Sequence, residues 1–167
     1  MEEPKNKYIL LVDGLGSTIR RECLSKPHLL KGFVYTQLHR GELLEAHPRA
    51  KHSPVFHKIS LVKIERNLAC VLDCPTANVA RLSNEEATLL LPISSNESRY
   101  RTFKDSKRLD FGRRLSTEDQ VFVSVDGVKK DLPGVVRYKG ELPPCHGTMF
   151  GVELIVGINS LIKGFFQ

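Results

Sequence analysis

From residue 121 to residue 154 the chain runs in short alternating segments, each closed by glycine or proline, and this pattern restricts it to small antiparallel β-structure. Val121, Val123 and Val125 alternate with Phe122 and Ser124 before Asp126-Gly127, a residue pair favoured in tight hairpin turns. Pro133-Gly134 opens a second segment, Val135-Val136-Arg137-Tyr138, which ends at Gly140. A third places Thr148, Phe150, Val152 and Leu154 on one face and Met149, Gly151 and Glu153 on the other. Short strands joined by glycine and proline turns predict a small curled barrel.

The upstream half carries the same signal less cleanly. Lys7 to Val12 reads as a buried strand closed by Asp13-Gly14, and His57 to Ile64 as another, with Ala69 to Leu72 and Asn78 to Leu82 as shorter candidates either side of Pro75. Ser83 and Glu86 have capping-box spacing ahead of Ala87 to Leu91, which predicts one short helix ending at Pro92. Pro27 to Glu45 reads two ways: Leu30, Val34 and Leu38 repeat at helical spacing, while Gly32 and Gly41 oppose a helix. The fold expected is therefore mainly β. A small β-rich unit over 7–93 is followed by a basic linker over 94–117, a partial SH3-like barrel over 118–154 and an apolar tail over 155–167.

Charge is concentrated in the linker. The chain has 25 Lys and Arg against 19 Asp and Glu, a formal charge of +6. Arg99, Arg101, Lys104, Lys107, Arg108, Arg113 and Arg114 face only Asp105 and Asp110 in their segment, with Tyr100, Phe103 and Phe111 between them. Cations interleaved with aromatics can neutralise phosphates and stack bases, so a nucleic-acid-binding module is one reading. A solvated linker whose aromatics pack on a neighbour is the other, and it ranks first because no nucleic-acid motif accompanies the charge.

The chemistry that the chain is expected to lack narrows its function. The loop Asp13-Gly14-Leu15-Gly16-Ser17-Thr18-Ile19 follows a strand, but Ile19 replaces the third glycine of a dinucleotide fingerprint and no Gly-Lys-Ser/Thr follows. Cys23, Cys70, Cys74 and Cys145 have no paired spacing for zinc, and a cytosolic redox poise keeps them as thiols. Cys145 and His146 are adjacent, so in extended chain they point apart and form no thiol–imidazole pair. His28, His39, His47, His52 and His57 show no ligand spacing, and the Asn96-Glu97-Ser98 sequon has no secretory signal to give it meaning. No catalytic residue, metal or cofactor is expected. Apolar runs such as Tyr8 to Val12 fall far short of the roughly 18 residues of a membrane span, so neither a membrane partner nor an export route is expected.

Pro133-Gly-Val-Val-Arg-Tyr-Lys-Gly140 followed by Met149-Phe-Gly-Val-Glu-Leu154 resembles the CAP-Gly domain, a small SH3-like barrel marked by a Gly-x-Val-x-Tyr/Phe-x-Gly strand and an aromatic-x-Gly-Val-Glu-Leu strand. The segment Glu97-Ser-Arg-Tyr-Arg-Thr-Phe-Lys-Asp-Ser-Lys-Arg-Leu109 with these strands is similar to the first CAP-Gly region of the CYLD-type (cylindromatosis) deubiquitinases. More loosely, so are Tyr8-Ile-Leu-Leu11, Leu29-Leu-Lys31 and Leu89-Leu-Leu-Pro-Ile93.

The resemblance implies a non-catalytic protein-interaction portion. Family members remove non-degradative polyubiquitin, damp NF-κB signalling and associate with microtubules and adaptor proteins, and their cysteine protease chemistry resides in a carboxy-terminal domain. Val135, Tyr138, Met149, Phe150, Gly151 and Glu153 are the groove candidates carried over. The implied partners are proteins with acidic or Glu-Glu-Tyr/Phe-type tails, tubulin and signalling adaptors among them, in a cytoplasmic, cytoskeleton-associated setting. After Leu154 the family's Gly-Lys-Asn-Asp-Gly loop is replaced by Ile155-Val-Gly-Ile-Asn-Ser-Leu-Ile-Lys-Gly-Phe-Phe-Gln167. The expectation is a barrel left incomplete at Leu154, with the tail covering part of its open face.

Overall fold

Strands that are apolar at every position, as Tyr8-Ile9-Leu10 and Leu43-Leu44 are, must be covered on both faces. The computed structural model, which describes residues 6–21, 33–46, 58–63, 70–125, 127–155 and 163–166, shows what covers them. β1 (Lys7–Leu10), β2 (Leu15–Arg21), β3 (Phe33–Leu38), β4 (Leu43–Ala46), β5 (Lys58–Lys63), β6 (Cys70–Pro75) and β7 (Val79–Leu82) form one antiparallel sheet in the order β3-β2-β6-β5-β4-β1-β7. Leu15 pairs with Leu38 and Ile9 with Leu43, so β1–β2 and β3–β4 are two arms of one hairpin kinked at 11–14 and 39–42. The kink lets β6 and β5 bridge from β2 to β4, and the sheet curls into a small barrel. Tyr8, Leu10, Leu38, Leu44 and Cys74 fill one side. Ile9, Leu43 and Leu82 point the other way, against helices.

The ambiguous stretch 27–45 thus resolves into β3 and β4 where it is described, and Gly41 sits at φ +85° in the turn between them. Residues 22–32 lie outside the described part, as do Cys23, His28, His47, His52 and His57. The Gly14-Leu15-Gly16 loop is a turn at Gly14 followed directly by strand.

Three helices follow, where the residue pattern predicts one. α1 (Asn84–Leu90) begins with the expected capping box: Glu86 N–H donates to Ser83 Oγ at 3.1 Å and Ser83 N–H to Glu86 Oε2 at 2.7 Å. The basic segment read as a linker folds as α2 (Asn96–Lys104) and α3 (Ser106–Arg114). Ser95 caps α2 by accepting from Ser98 N–H, and Asp105 caps α3 by accepting from Arg108 N–H at 3.0 Å. Ala87, Leu90 and Leu109 are buried against Ile9, Leu43 and Leu82, with Phe103 beside them. Each fully buried aliphatic contributes about 1.5–3 kcal/mol, enough to fix short helices that would not stand alone.

β8 (Gln120–Val123), β9 (Leu132–Gly140), β10 (Met149–Leu154) and β11 (Lys163–Phe166) make a second antiparallel sheet in the order β11-β10-β9-β8. Val136, Val152 and Leu154 are buried at its centre, packed by Leu115, Val121, Val123, Leu132 and Phe150. The alternation expected along β10 holds. On β9 it breaks: Gly151 pairs with Tyr138 but Val152 with Val136, leaving Arg137 as the extra residue of a bulge. β8 and β9 are joined through residues 124–131 and not by a two-residue hairpin. On the other edge Phe150 pairs with Phe166 and Glu153 with Lys163, so the tail supplies a strand where an open edge was expected.

Candidate functional site

The bulge at Arg137 decides which groove candidates share a face. By strand register, Val135 and Glu153 are opposite each other, Tyr138 is opposite Gly151, and Met149 follows one pleat along, all on the face turned away from the sheet's own core. Phe150 is opposite Lys139 on the core face, so it does not join the other five. Tyr138 is 36% exposed across from a residue with no side chain, which leaves an aromatic ring beside bare backbone. Its hydroxyl donates to Glu141 O at 2.6 Å and lies over Gly140, where a Cβ would collide with it. Met149 and Gly151 are buried, and Val135 and Glu153 are half-buried. Arg137 donates to Glu153 Oε2 at 2.6 Å and to Glu118. These bonds, to Glu118 first and then Glu153, raise its already high pKa, so the cation beside Tyr138 is permanent.

The core face opens onto a second feature that the residue pattern did not reveal. Leu89, Pro92, Ile93, Leu109, Phe111 and Phe150 are among the walls of a cleft of about 250 Å³ between the helices and the second sheet, with Arg108 and Phe122 also lining it. Phe111 and Phe122 are exposed to 54% and 78%. The volume is below the roughly 300–1,000 Å³ of clefts that hold drug-sized ligands, so its scale suits an inserted side chain. Lys139 touches two residues of the cleft walls, Phe150 and Leu115. Its Nζ lies 5.7 Å from the Phe150 ring centroid and donates to Leu115 O at 2.6 Å and Arg113 O at 2.9 Å, capping the carbonyl end of α3.

The seven cations of 99–114 do not form one patch. Arg99 is fully buried and donates to Leu90 O, Ile93 O, Gly41 O and Asn96 Oδ1, which makes it an internal brace between α2 and the β3–β4 turn. Arg101 pairs with Glu97, and Arg113 with Asp110, Glu85 and Glu86. Arg114 reaches back to Asp110 O. Lys104, Lys107 and Arg108 are exposed. Glu97 also accepts from Arg40 at 2.9 Å, and the Arg101 and Arg40 guanidiniums hold its carboxyl below the usual carboxylate range. Arg40 in turn stacks on Tyr100 at 5.1 Å. Phe103 packs inward and Tyr100 lies under Arg40, so two of the three aromatics expected to stack bases are engaged within the protein, while Phe111 is exposed.

Among the described residues no three His, Cys, Asp or Glu side chains are arranged to hold a metal ion, and no helix is long and apolar enough to cross a membrane. Cys74 is buried in the barrel, and Cys145 is exposed. His146 Nδ1 lies 3.1 Å from Glu141 Oε1, its ring committed to the neighbouring loop.

A family model described as the CYLD SH3 domain matches residues 29–113. The chain is 32% identical to the ubiquitin carboxyl-terminal hydrolase CYLD of Bos taurus and that of Homo sapiens, and 31% identical to that of Mus musculus. Each similarity runs over 97 residues, 56% of this chain and 10% of the relative. The chain thus spans about a tenth of the length of the curated relatives it matches. No solved structure matches it. The matched model covers β3 to α3, and its residues include the looser stretches Leu29-Leu-Lys31 and Leu89-Leu-Leu-Pro-Ile93 together with the closer Glu97 to Leu109.

Proposed function

Because the chain belongs to the CYLD SH3 domain family, we propose that it is a non-catalytic protein-interaction module of a CYLD-type deubiquitinase, which takes acidic, aromatic-ended protein tails on the outer face of β9 and β10. The observation that carries this reading is Tyr138, an exposed aromatic ring set across from glycine backbone. A ring next to bare backbone offers a flat apolar seat for an aromatic side chain, and the net charge of +6 favours an acidic approach. Val135 walls the seat, and Gly151 leaves it shallow. The CAP-Gly character of these two strands belongs to this proposal, as does the assignment of tubulin or adaptor tails as partners.

Removal of polyubiquitin and damping of NF-κB signalling are proposed for the longer proteins of which this region forms a tenth, with this module supplying recognition in the cytoplasm or on the cytoskeleton. Fluorescence anisotropy with a labelled peptide ending in Glu-Glu-Tyr tests the reading. Binding should appear at low salt, weaken as salt rises, and fall roughly 10-fold or more in Tyr138→Ala, the loss of one aromatic anchor. Absence of binding to the native chain, or equal binding by the variant, would exclude this face.

A further inference from the structure

The end of α3 reads Arg113-Arg114-Leu115-Ser116, and no function proposed above uses it. Among all the serines and threonines of the chain, only Ser116 has arginine at both the third and the second position before it. It is exposed, just past the helix, in the turn that leads to β8. We propose that Ser116 is a phosphorylation site for a serine kinase whose peptide groove reads two guanidiniums on the amino-terminal side of the hydroxyl, and that the phosphate opens the turn over 116–119. Paired carboxylates in such a groove accept the planar forks of both arginines, a recognition that lysine does not reproduce. In the transfer, Ser116 Oγ attacks the γ-phosphorus of a nucleoside triphosphate, its proton passes to the kinase's base, and the nucleoside diphosphate leaves.

The local structure makes the segment available. Ser116 Oγ has only a 3.4 Å contact to Arg114 O, at the limit of a hydrogen bond. The Arg113 side chain is 39% exposed, and its pairs with Glu85 and Asp110 are 3.3 and 3.2 Å surface contacts that exchange readily for a kinase carboxylate. Gly112 sits in the last turn of this nine-residue helix, where glycine holds helical geometry weakly. Unwinding that turn releases 113–116 while Leu109 stays buried, and half-buried Leu115 is the packing contact given up.

The same geometry says what the phosphate does. Ser116 N–H donates to Asp119 Oδ2 at 2.7 Å, and Glu118 follows at φ +73° with its N–H on Val136 O at 2.7 Å. A phosphate brings about two negative charges beside these two carboxylates. Asp119 is repelled from the Ser116 amide, and the Lys139 ammonium on the adjoining Leu115 carbonyl is drawn toward the new charge. The tie between α3 and β9 loosens as a result.

Incubating the folded chain with the catalytic subunit of cyclic-AMP-dependent protein kinase and ATP tests the proposal, with fragmentation mass spectrometry to place the phosphate. Modification at Ser116 is expected, abolished in Ser116→Ala and unchanged in Thr117→Ala. Arg114→Ala should slow it roughly 10- to 100-fold, the loss of one charge-assisted contact. Amide exchange at Ser116, Glu118 and Val136 should accelerate after modification. Phosphate placed on another residue, equal incorporation in Ser116→Ala, or modification only after heat unfolding would overturn the site. Unchanged exchange would overturn the opening of the turn.

Discussion

A guanidinium tolerates burial only where enough acceptors converge on it. Arg99 meets that condition because the carbonyls of Leu90 and Ile93 at the end of α1 point into the same space as Gly41 O and Asn96 Oδ1. Gly41 is part of the condition: a Cβ there would run into the Asn96 carbonyl, so the turn reaches α2 only as glycine. Replacing Arg99 by Met strands three buried carbonyls, and a loss of about 3 kcal/mol or more is expected in urea unfolding. Arg99→Lys should rescue little, since an ammonium lacks the planar spread to reach them all. A cost below about 1 kcal/mol for Arg99→Met, the level of a surface contact, would contradict the brace. None of this was legible from the residues, where Arg99 counted as one of seven surface cations. Burial of this charge depends on the fold that turns the carbonyls of Leu90 and Ile93 and, from 58 residues away, that of Gly41 onto one guanidinium, and no local pattern announces that convergence.

At the scale of elements, legibility followed locality. The capping box of α1 and the glycine-bounded strands β9 and β10 were readable, because caps and tight turns are written within a few residues. Leu30, Val34 and Leu38 repeat at helical spacing, yet Val34 and Leu38 lie in β3 because pairing with β2 outweighed that coincidence. α2 and α3 were missed because few apolar residues mark their faces: Phe103 and Leu109 pack inward among many charges. What completes α3 comes from far along the chain. Lys139, carried on β9, puts its ammonium on the last carbonyls of the helix. Lys139→Met should cost about 0.3–1 kcal/mol and speed amide exchange in the last turn of α3, with the β9–β10 pairing unchanged. Equal protection of that turn in both proteins would show that the helix holds its end without the cation.

For the molecule as a whole, the joint between the helices and the second sheet decides whether the chain behaves as one body. Thr148 N–H donates to Thr88 O at 2.7 Å, and Gly147, at φ +98°, lets the loop approach Thr88, Leu91 and Pro92 of the α1 end. Gly147→Ala forces a Cβ against the Thr88 carbonyl in a backbone region that costs a side chain about 1–3 kcal/mol. Calorimetry is expected to show one unfolding transition for the native chain and two for the variant. A single transition in the variant would mean that the sheets are coupled elsewhere. The same joint forms the apolar cleft beside Phe111 and Phe150, so cleft and coupling should be lost together. The residues alone determined the β-rich class, the first helix, the alternation of β10 and the family resemblance, because each depends on neighbours within one strand or one turn. Tertiary structure alone decided that the basic segment is helical cover for the barrel, that Arg99 is internal, and that the Arg137 bulge brings Tyr138 onto the face of Val135, opposite Gly151. These outcomes rest on contacts between separate elements, whose energies exceed the local preferences that a sequence displays.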